Sequence, residues 1–225
     1  ETRYHMAGIL LEKQMTGDKA FLRMVATDGH RLAMADGEVP KVEELLGERQ
    51  ALVPRKGVME IRKLAEGGPG SLDLSLTEKF LYAGKGDTEL WVRLLDAEFP
   101  PYRQVMPKDN QQVARVSREE FVDALRRVLV MAPEKVHSVR LSFSGKQIEV
   151  STAGPEHGEA RDLLEAEYNG PPIKIGFNGR YLLDAFAGIS EQTARIEMKD
   201  DVSQVIIRPD EDRNFLAIIM PMRIF

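Results

Sequence analysis

Val53-Pro-Arg-Lys-Gly57 and Ile175-Gly-Phe-Asn-Gly179 each end an apolar strand and open an amphipathic helix, and the second stands 122 residues after the first (position 175 against 53). Self-similarity at a fixed offset decides the fold, because it marks a supersecondary unit used twice. The register extends beyond the two helices. Leu74 and Leu76 fall on Ile196 and Met198 at the same offset, Phe80 falls on Val202, and Leu90 to Leu94 match Phe215 to Ile219 after a three-residue slip. Few residues are identical, but the order of strand, helix and strands agrees. Two copies of an α+β unit of about 110 residues follow, divided at 1–108 and 109–225.

The copies begin unequally. Before its strand at Val139, the second has a strand at Val113 and a helix opening at Ser117, whereas the first has only Glu1 to His5 before its equivalent strand. The first copy is therefore expected to lack its opening strand and helix, which leaves apolar sheet surface to be covered by something else. A chain that starts at Glu1 and enters a strand pattern so soon reads as a fragment.

Alternating apolar positions predict strands over Met6 to Lys13, Phe21 to Thr27, Arg31 to Glu38, Leu72 to Ala83 and Glu89 to Leu95. In the second half they predict Val113 to Val116, Val139 to Ser144, Gln147 to Thr152, Glu159 to Tyr168, Ile173 to Phe177, Ala194 to Met198, Gln204 to Arg208 and Phe215 to Pro221. Three helices are expected. Ser117 and Glu120 form a capping box ahead of Phe121, Leu125, Val128 and Leu129. A second helix starts near Lys56, carries Val58, Ile61, Leu64 and Ala65 on one face and stops at Gly67, and a third runs from Asn178 through Leu182, Leu183 and Phe186 to Gly188.

Composition narrows the chemistry. With 43% hydrophobic and 30% charged residues in a 225-residue chain, wholesale disorder is excluded. The absence of cysteine removes disulfides, thiol nucleophiles, zinc-thiolate sites and iron-sulfur clusters together, and is compatible with a reducing compartment. No run approaches the length of apolar residues that a membrane helix needs, which points to a cytoplasmic protein. Net charge is −5, so any contact with nucleic acid must use a local basic face.

Catalytic and cofactor motifs are scarce, and no cofactor or metal is expected. The four histidines, His5, His30, His137 and His157, have no metal-ligand spacing beyond Asp28 beside His30 and Glu156 and Glu159 around His157. Gly67-Gly-Pro-Gly-Ser71 and Gly84-Lys-Gly-Asp87 lack the Lys-Ser/Thr of a phosphate loop and read as hairpin turns. No Gly-x-Ser-x-Gly elbow occurs. Thr27-Asp-Gly-His-Arg31 is the densest polar cluster between strands. It reads either as a tight turn or as a recognition turn, and the enzymatic alternative is a metal-dependent hydrolase centred on Asp28 and His30, which a metal titration would reveal. The C-terminal Ile218-Ile-Met-Pro-Met-Arg-Ile-Phe225 reads as a core strand running out at a proline, or as an adaptable methionine-rich binding tail.

Taken together, Val25-Ala-Thr-Asp-Gly-His-Arg-Leu-Ala33, Val53-Pro-Arg-Lys-Gly-Val58, Phe99-Pro-Pro-Tyr-Arg103 with Met106-Pro107, Ile175-Gly-Phe-Asn178 with Tyr181-Leu, and Met220-Pro-Met-Arg-Ile224 resemble the bacterial sliding clamps, the β subunit of DNA polymerase III. The resemblance covers nearly the whole chain in the family's order and spacing. It implies a tandem of DNA-clamp domains, helices packed on antiparallel sheets: a middle domain without its opening strand and helix, then a complete C-terminal domain. The family forms head-to-tail homodimeric rings of three-domain chains, so this fragment, without a first domain, is not expected to close a ring. It implies no catalysis. The family encircles duplex DNA without sequence preference, as a processivity factor, and binds the polymerase III catalytic subunit, clamp-loader subunits, translesion polymerases, a mismatch-repair protein and ligase through a short linear motif. A bacterial cytoplasmic, nucleoid-associated location follows from the same resemblance.

Carried over by position, the resemblance puts the motif pocket between the two domains, with Met6, Thr27, Gly29, His30, Arg31, Leu32, Pro100 and Val105 on one wall and Asn178, Tyr181, Val202, Ile218, Ile219, Met220, Pro221, Met222 and Arg223 on the other. Gln104 departs from relatives that have a second basic residue beside Arg103. For DNA it implies Arg55, Lys56, Arg62 and Lys63 on one helix, Arg126 and Arg127 on another, and the loop Arg3, Tyr4 and His5, where an aromatic ring suits stacking on a displaced strand. The helix cations read equally as solvated faces.

Overall fold

The computed structural model describes residues 6–132, 136–154 and 158–223. The chain divides into two compact units, one of residues 1–29 and 34–105, the other of residues 30–33 and 106–225.

In the first unit, β1 (Gly8–Thr16), β2 (Lys19–Thr27), β3 (Arg31–Gly37) and β4 (Ala51–Pro54) lie in the order β4-β1-β2-β3. The opening residues of β3 group with the second unit. A separate antiparallel sheet consists of β5 (Asp73–Leu76), β6 (Phe80–Lys85) and β7 (Thr88–Arg93). Helices α1 (Val42–Leu46) and α2 (Arg55–Glu66) complete it. Leu11, Leu22, Val42, Leu46, Ala51, Val53, Leu81 and Val92 form the core, and Val58 and Ile61 of α2 pack against it. Alternation explains the sheets, since every second residue of β6 faces inward, with Leu81 at 2% and Ala83 at 0% exposure. Gly57 lets α2 lie close, because a Cβ there would overlap Val92.

The second unit is an eight-stranded antiparallel run in the order β12-β9-β10-β11-β8-β13-β14-β15. Its strands are β8 (Gln112–Ser117), β9 (Ser138–Ser144), β10 (Gln147–Gly154), β11 (Gly158–Tyr168), β12 (Ile173–Asn178), β13 (Thr193–Met198), β14 (Val205–Pro209) and β15 (Phe215–Ile219). Helices α3 (Arg118–Leu129) and α4 (Gly179–Ala187) cover one face, with Phe121 and Phe186 stacked at 4.4 Å. The capping box closes as expected from its spacing, Ser117 Oγ accepting from the Glu120 N–H. Gly179 repeats the close approach of Gly57, a Cβ there standing 2.7 Å from Leu129 Cδ2. Among the described residues the first unit has no counterpart of β8 and α3.

Several expectations are corrected. Leu72 to Ala83 is two strands, because Thr77 turns the chain: its Oγ1 accepts from the Phe80 N–H at 3.0 Å and its own N–H reaches the Phe80 carbonyl at 2.9 Å. Gly67 to Ser71 is the α2–β5 connection rather than a hairpin turn, held by Lys85 Nζ on the carbonyls of Ala65 and Gly68. The final strand stops at Ile219, not Pro221. Ala65, expected on the buried face of α2, is exposed. The short α1, with Val42 and Leu46 buried, gives too little periodicity to be read in sequence.

Candidate functional site

The turn that opens the polar cluster belongs to the first unit. Gly29 adopts φ 88°, where a side chain is disfavoured, and its N–H is bound by Thr27 Oγ1 at 3.2 Å. His30 to Ala33 group with the second unit. There the Met220 N–H donates to the His30 carbonyl at 3.0 Å, and the Met222 N–H to the Gly176 carbonyl at 2.9 Å. The methionine-rich end is thereby fixed by backbone bonds, which leaves its side chains available at the surface. Met220 is 42% exposed, Pro221 and Met222 are half-buried and Arg223 is exposed.

Arg31 lies beside this segment with its guanidinium 4.3 Å from the Tyr181 ring centroid and an ion pair to Asp184. The stack and the ion pair hold the Arg31 guanidinium against α4. Asn178 has a structural duty, its side-chain oxygen capping α4 by accepting from the Arg180 N–H at 3.0 Å. Leu32, Ile218 and Ile219 are buried, so they support the surface from beneath. Val202 is 63% exposed at the tip of a turn organised by Asp200, which accepts from the N–H groups of Val202 and Ser203 and from Ser203 Oγ. Those bonds, the Ser203 hydroxyl first, pull the Asp200 carboxyl below its usual value.

The first unit contributes Met6, Pro100 and Val105 to the predicted set; the first two are half-buried and Val105 is 47% exposed. Val105 ends a 3-10 turn, Tyr102–Val105, anchored by a network that the sequence did not signal. Buried Glu12 accepts from Tyr102 Oη, from Arg103 Nη2 at 2.7 Å and, through its other oxygen, from Gln50 Nε2 at 2.8 Å. Burial, then the bond to Glu12, pushes the Tyr102 phenol above its ordinary value. Beside it, burial disfavours the Arg23 charge, but bonds to Asp36 and Tyr102 outweigh this and raise the guanidinium. Glu12 and Asp184 lie 91 and 153 positions from their arginine partners, Arg103 and Arg31, too far apart in sequence for any periodic pattern to connect them.

The helix cations divide. Arg62 pairs with Glu66, Lys63 with Glu60, Arg126 with Asp123 and Arg127 with Asp162. Arg55 and Lys56 are exposed and have no ion pair among the described residues. Arg3, Tyr4 and His5 lie outside the described residues. No group of three His, Cys, Asp or Glu side chains suited to a metal occurs among the described residues, which gives the metal-hydrolase alternative no support. Among these residues no helix is long and apolar enough to cross a membrane.

Two α+β units with matching strand-helix-strand order, the second ending in a surface methionine segment, define a clamp-type protein. Residues 1–101 match the family of the DNA polymerase III beta subunit, central domain, and residues 103–223 that of its C-terminal domain. The chain belongs to the DNA polymerase III beta subunit family, the bacterial sliding clamps. It is 34% identical to the beta sliding clamp of Caulobacter vibrioides, covering 100% of this chain and 60% of that protein. It is 33% identical to that of Escherichia coli K12, with 100% and 59% covered. The crystal structure of a Caulobacter crescentus beta sliding clamp superposes with a TM-score of 0.94 at 32% identity, covering 100% of this chain and 59% of that one. A Bartonella birtlesii clamp bound to griselimycin gives 0.92 at 34% identity, with 100% and 60% covered. The chain thus spans about three fifths of the length of these relatives.

Proposed function

We propose that this chain is the part of a replicative sliding clamp that recruits partners, a non-catalytic processivity factor whose whole protein travels on duplex DNA. Its two clamp domains are taken as 1–108 and 109–225, a division supported by Asn110, whose side-chain amide donates to the carbonyls of Glu197 and Gln204. The observation that carries the reading is the apolar surface strip at Met220, Pro221 and Met222, pinned by backbone bonds and edged by the Arg31–Tyr181 stack. Its chemistry suits a short peptide with leucine and phenylalanine anchors. Thioethers refit to different side chains, and each buried anchor contributes about 1.5–3 kcal/mol. Arg31 and Arg223 supply donors at the rim. The partners in this reading are a polymerase catalytic subunit, clamp-loader subunits and repair proteins that carry such a motif. The relatives solved with griselimycin, from Bartonella birtlesii and Pseudomonas aeruginosa, support a ligand-binding role for this family's surface.

Calorimetry with a Gln-Leu-x-Leu-Phe peptide tests the reading. Binding with a Kd in the micromolar range, about −8 kcal/mol, is expected, together with its loss in Met222→Asp, where the new charge would be desolvated without a partner. A well-folded sample that ignores the peptide, or binds it equally well with Met222→Asp, overturns the site.

A further inference from the structure

The outward face of the β5-β6-β7 sheet carries an organised surface that the clamp reading leaves unused. Its residues fall in cross-strand rows. Asp73 stands opposite Gly84, and Gly84 opposite Glu89; in the next row Ser75 stands opposite Tyr82, and Tyr82 opposite Trp91; beyond these, Phe80 stands opposite Arg93. The intervening residues Leu81, Ala83 and Val92 turn inward to the core, so the rows share the outer face.

The middle row is shaped by a glycine. A Cβ on Gly84 would lie 3.0 Å from Tyr82 Cζ and closer still to its hydroxyl, so the Tyr82 ring lies down over the bare backbone. Trp91 stands against it with ring centroids 5.0 Å apart and planes at 59°, and remains 59% exposed. The pair makes a shelf and a wall, open to solvent. Carboxylates flank the shelf. Neither Asp73 nor Glu89 has an ion-pair partner among the described residues, and Lys85, the lysine nearest to Glu89 in sequence, is turned away onto the carbonyls of Ala65 and Gly68. Burial, then Glu89 and Asp73, raise the Tyr82 phenol. Arg93 belongs to the far row, beyond Trp91.

We propose that this face binds an arginine-bearing segment of a protein partner, the guanidinium stacking in the Tyr82–Trp91 notch and donating to the Glu89 and Asp73 carboxylates. A planar delocalised cation is the group that satisfies aromatic faces and a carboxylate fork together. An ammonium meets the charge but not the fork. Nucleic acid suits the rings but brings phosphate against two unneutralised carboxylates. The assignment is independent of the peptide surface in the second unit.

Trp91 is the chain's single tryptophan, so its fluorescence reports this face directly. The 225-residue chain is titrated with hexa-arginine, with hexa-lysine and a twelve-nucleotide oligo-dT as comparisons. Expected is a saturable change with hexa-arginine, a weaker one with hexa-lysine and none with oligo-dT. Asp73→Asn/Glu89→Gln weakens hexa-arginine binding at least about fivefold. Glu43→Gln/Glu44→Gln, exposed acids on α1, leaves it unchanged. Gly84→Ala, which lifts Tyr82 while keeping both carboxylates, also weakens it; if that variant does not fold, Trp91→Leu assayed by calorimetry replaces it. A silent Trp91, equal losses in both double variants, a response to oligo-dT instead of the peptide, or a concentration-dependent Trp91 change without peptide that marks self-association, each overturns the proposal.

Discussion

Glu12→Ala should unfasten the first unit, and the magnitude follows from what the carboxylate holds. Tyr102, 4% exposed, loses the acceptor for its hydroxyl, and an unpaired buried hydroxyl costs about 1–3 kcal/mol. Arg103 loses its pair too, but its side chain is 58% exposed, which limits that part to under about 1 kcal/mol. The exposed Gln50 adds little. Together the loss is about 1–4 kcal/mol, which for a unit of this size lowers its melting temperature by roughly 5 °C or more. Trp91 lies in this unit, so its fluorescence follows the unit's unfolding separately from the rest of the chain. A double-mutant cycle with Tyr102→Phe should show a coupling of about 1 kcal/mol or more. A shift below about 3 °C for Glu12→Ala, or additive effects in the cycle, would refute the view that the Phe99–Arg103 motif is latched through Glu12.

Alkaline unfolding should also report this network. The Tyr102 phenol is raised in the folded state, so the unfolded chain ionises first, and stability present below pH ~10 is lost as pH rises through the folded value; Tyr102→Phe should flatten that decline in a denaturant series. Gly57→Ala and Gly179→Ala should each destabilise by about 1–3 kcal/mol, since each Cβ meets a packed side chain, and urea midpoints measure it. For a short duplex, Arg55→Ala/Lys56→Ala should reduce the log–log salt slope by about 2, whereas Arg62→Ala/Lys63→Ala, whose side chains are already paired, should change it less. Salt-insensitive, sequence-specific binding would contradict that account of DNA contact.

The two-copy architecture was legible because hydrophobic period and capping are local. The spacing of Phe121, Leu125 and Val128 on α3, the Ser117 cap, and the glycines at 57 and 179 each announce themselves within a dozen residues. The same locality explains the errors. Leu72 to Ala83 keeps an alternating look on both sides of the Thr77 turn, and only the hydrogen bonds between Thr77 and Phe80 reveal that the chain reverses there.

What the sequence determined by itself, then, is the repeat, the strand and helix order, and the motif residues that place the chain among sliding clamps. The tertiary structure decided which of those residues are surface and which are support. Leu32, Ile218 and Ile219 look like Met220 and Met222 in an apolar string, yet the former are buried while Met220 is exposed and Met222 half-buried, because β15 ends at Ile219 and the Met220 N–H turns to the His30 carbonyl. It alone also brought Glu12 to Tyr102 and Arg103, Asp184 to Arg31, and Tyr82 over Gly84 beside Trp91. Ion pairs and ring contacts act over a few ångströms in space, and positions scores of residues apart acquire such proximity only when the strands between them have paired.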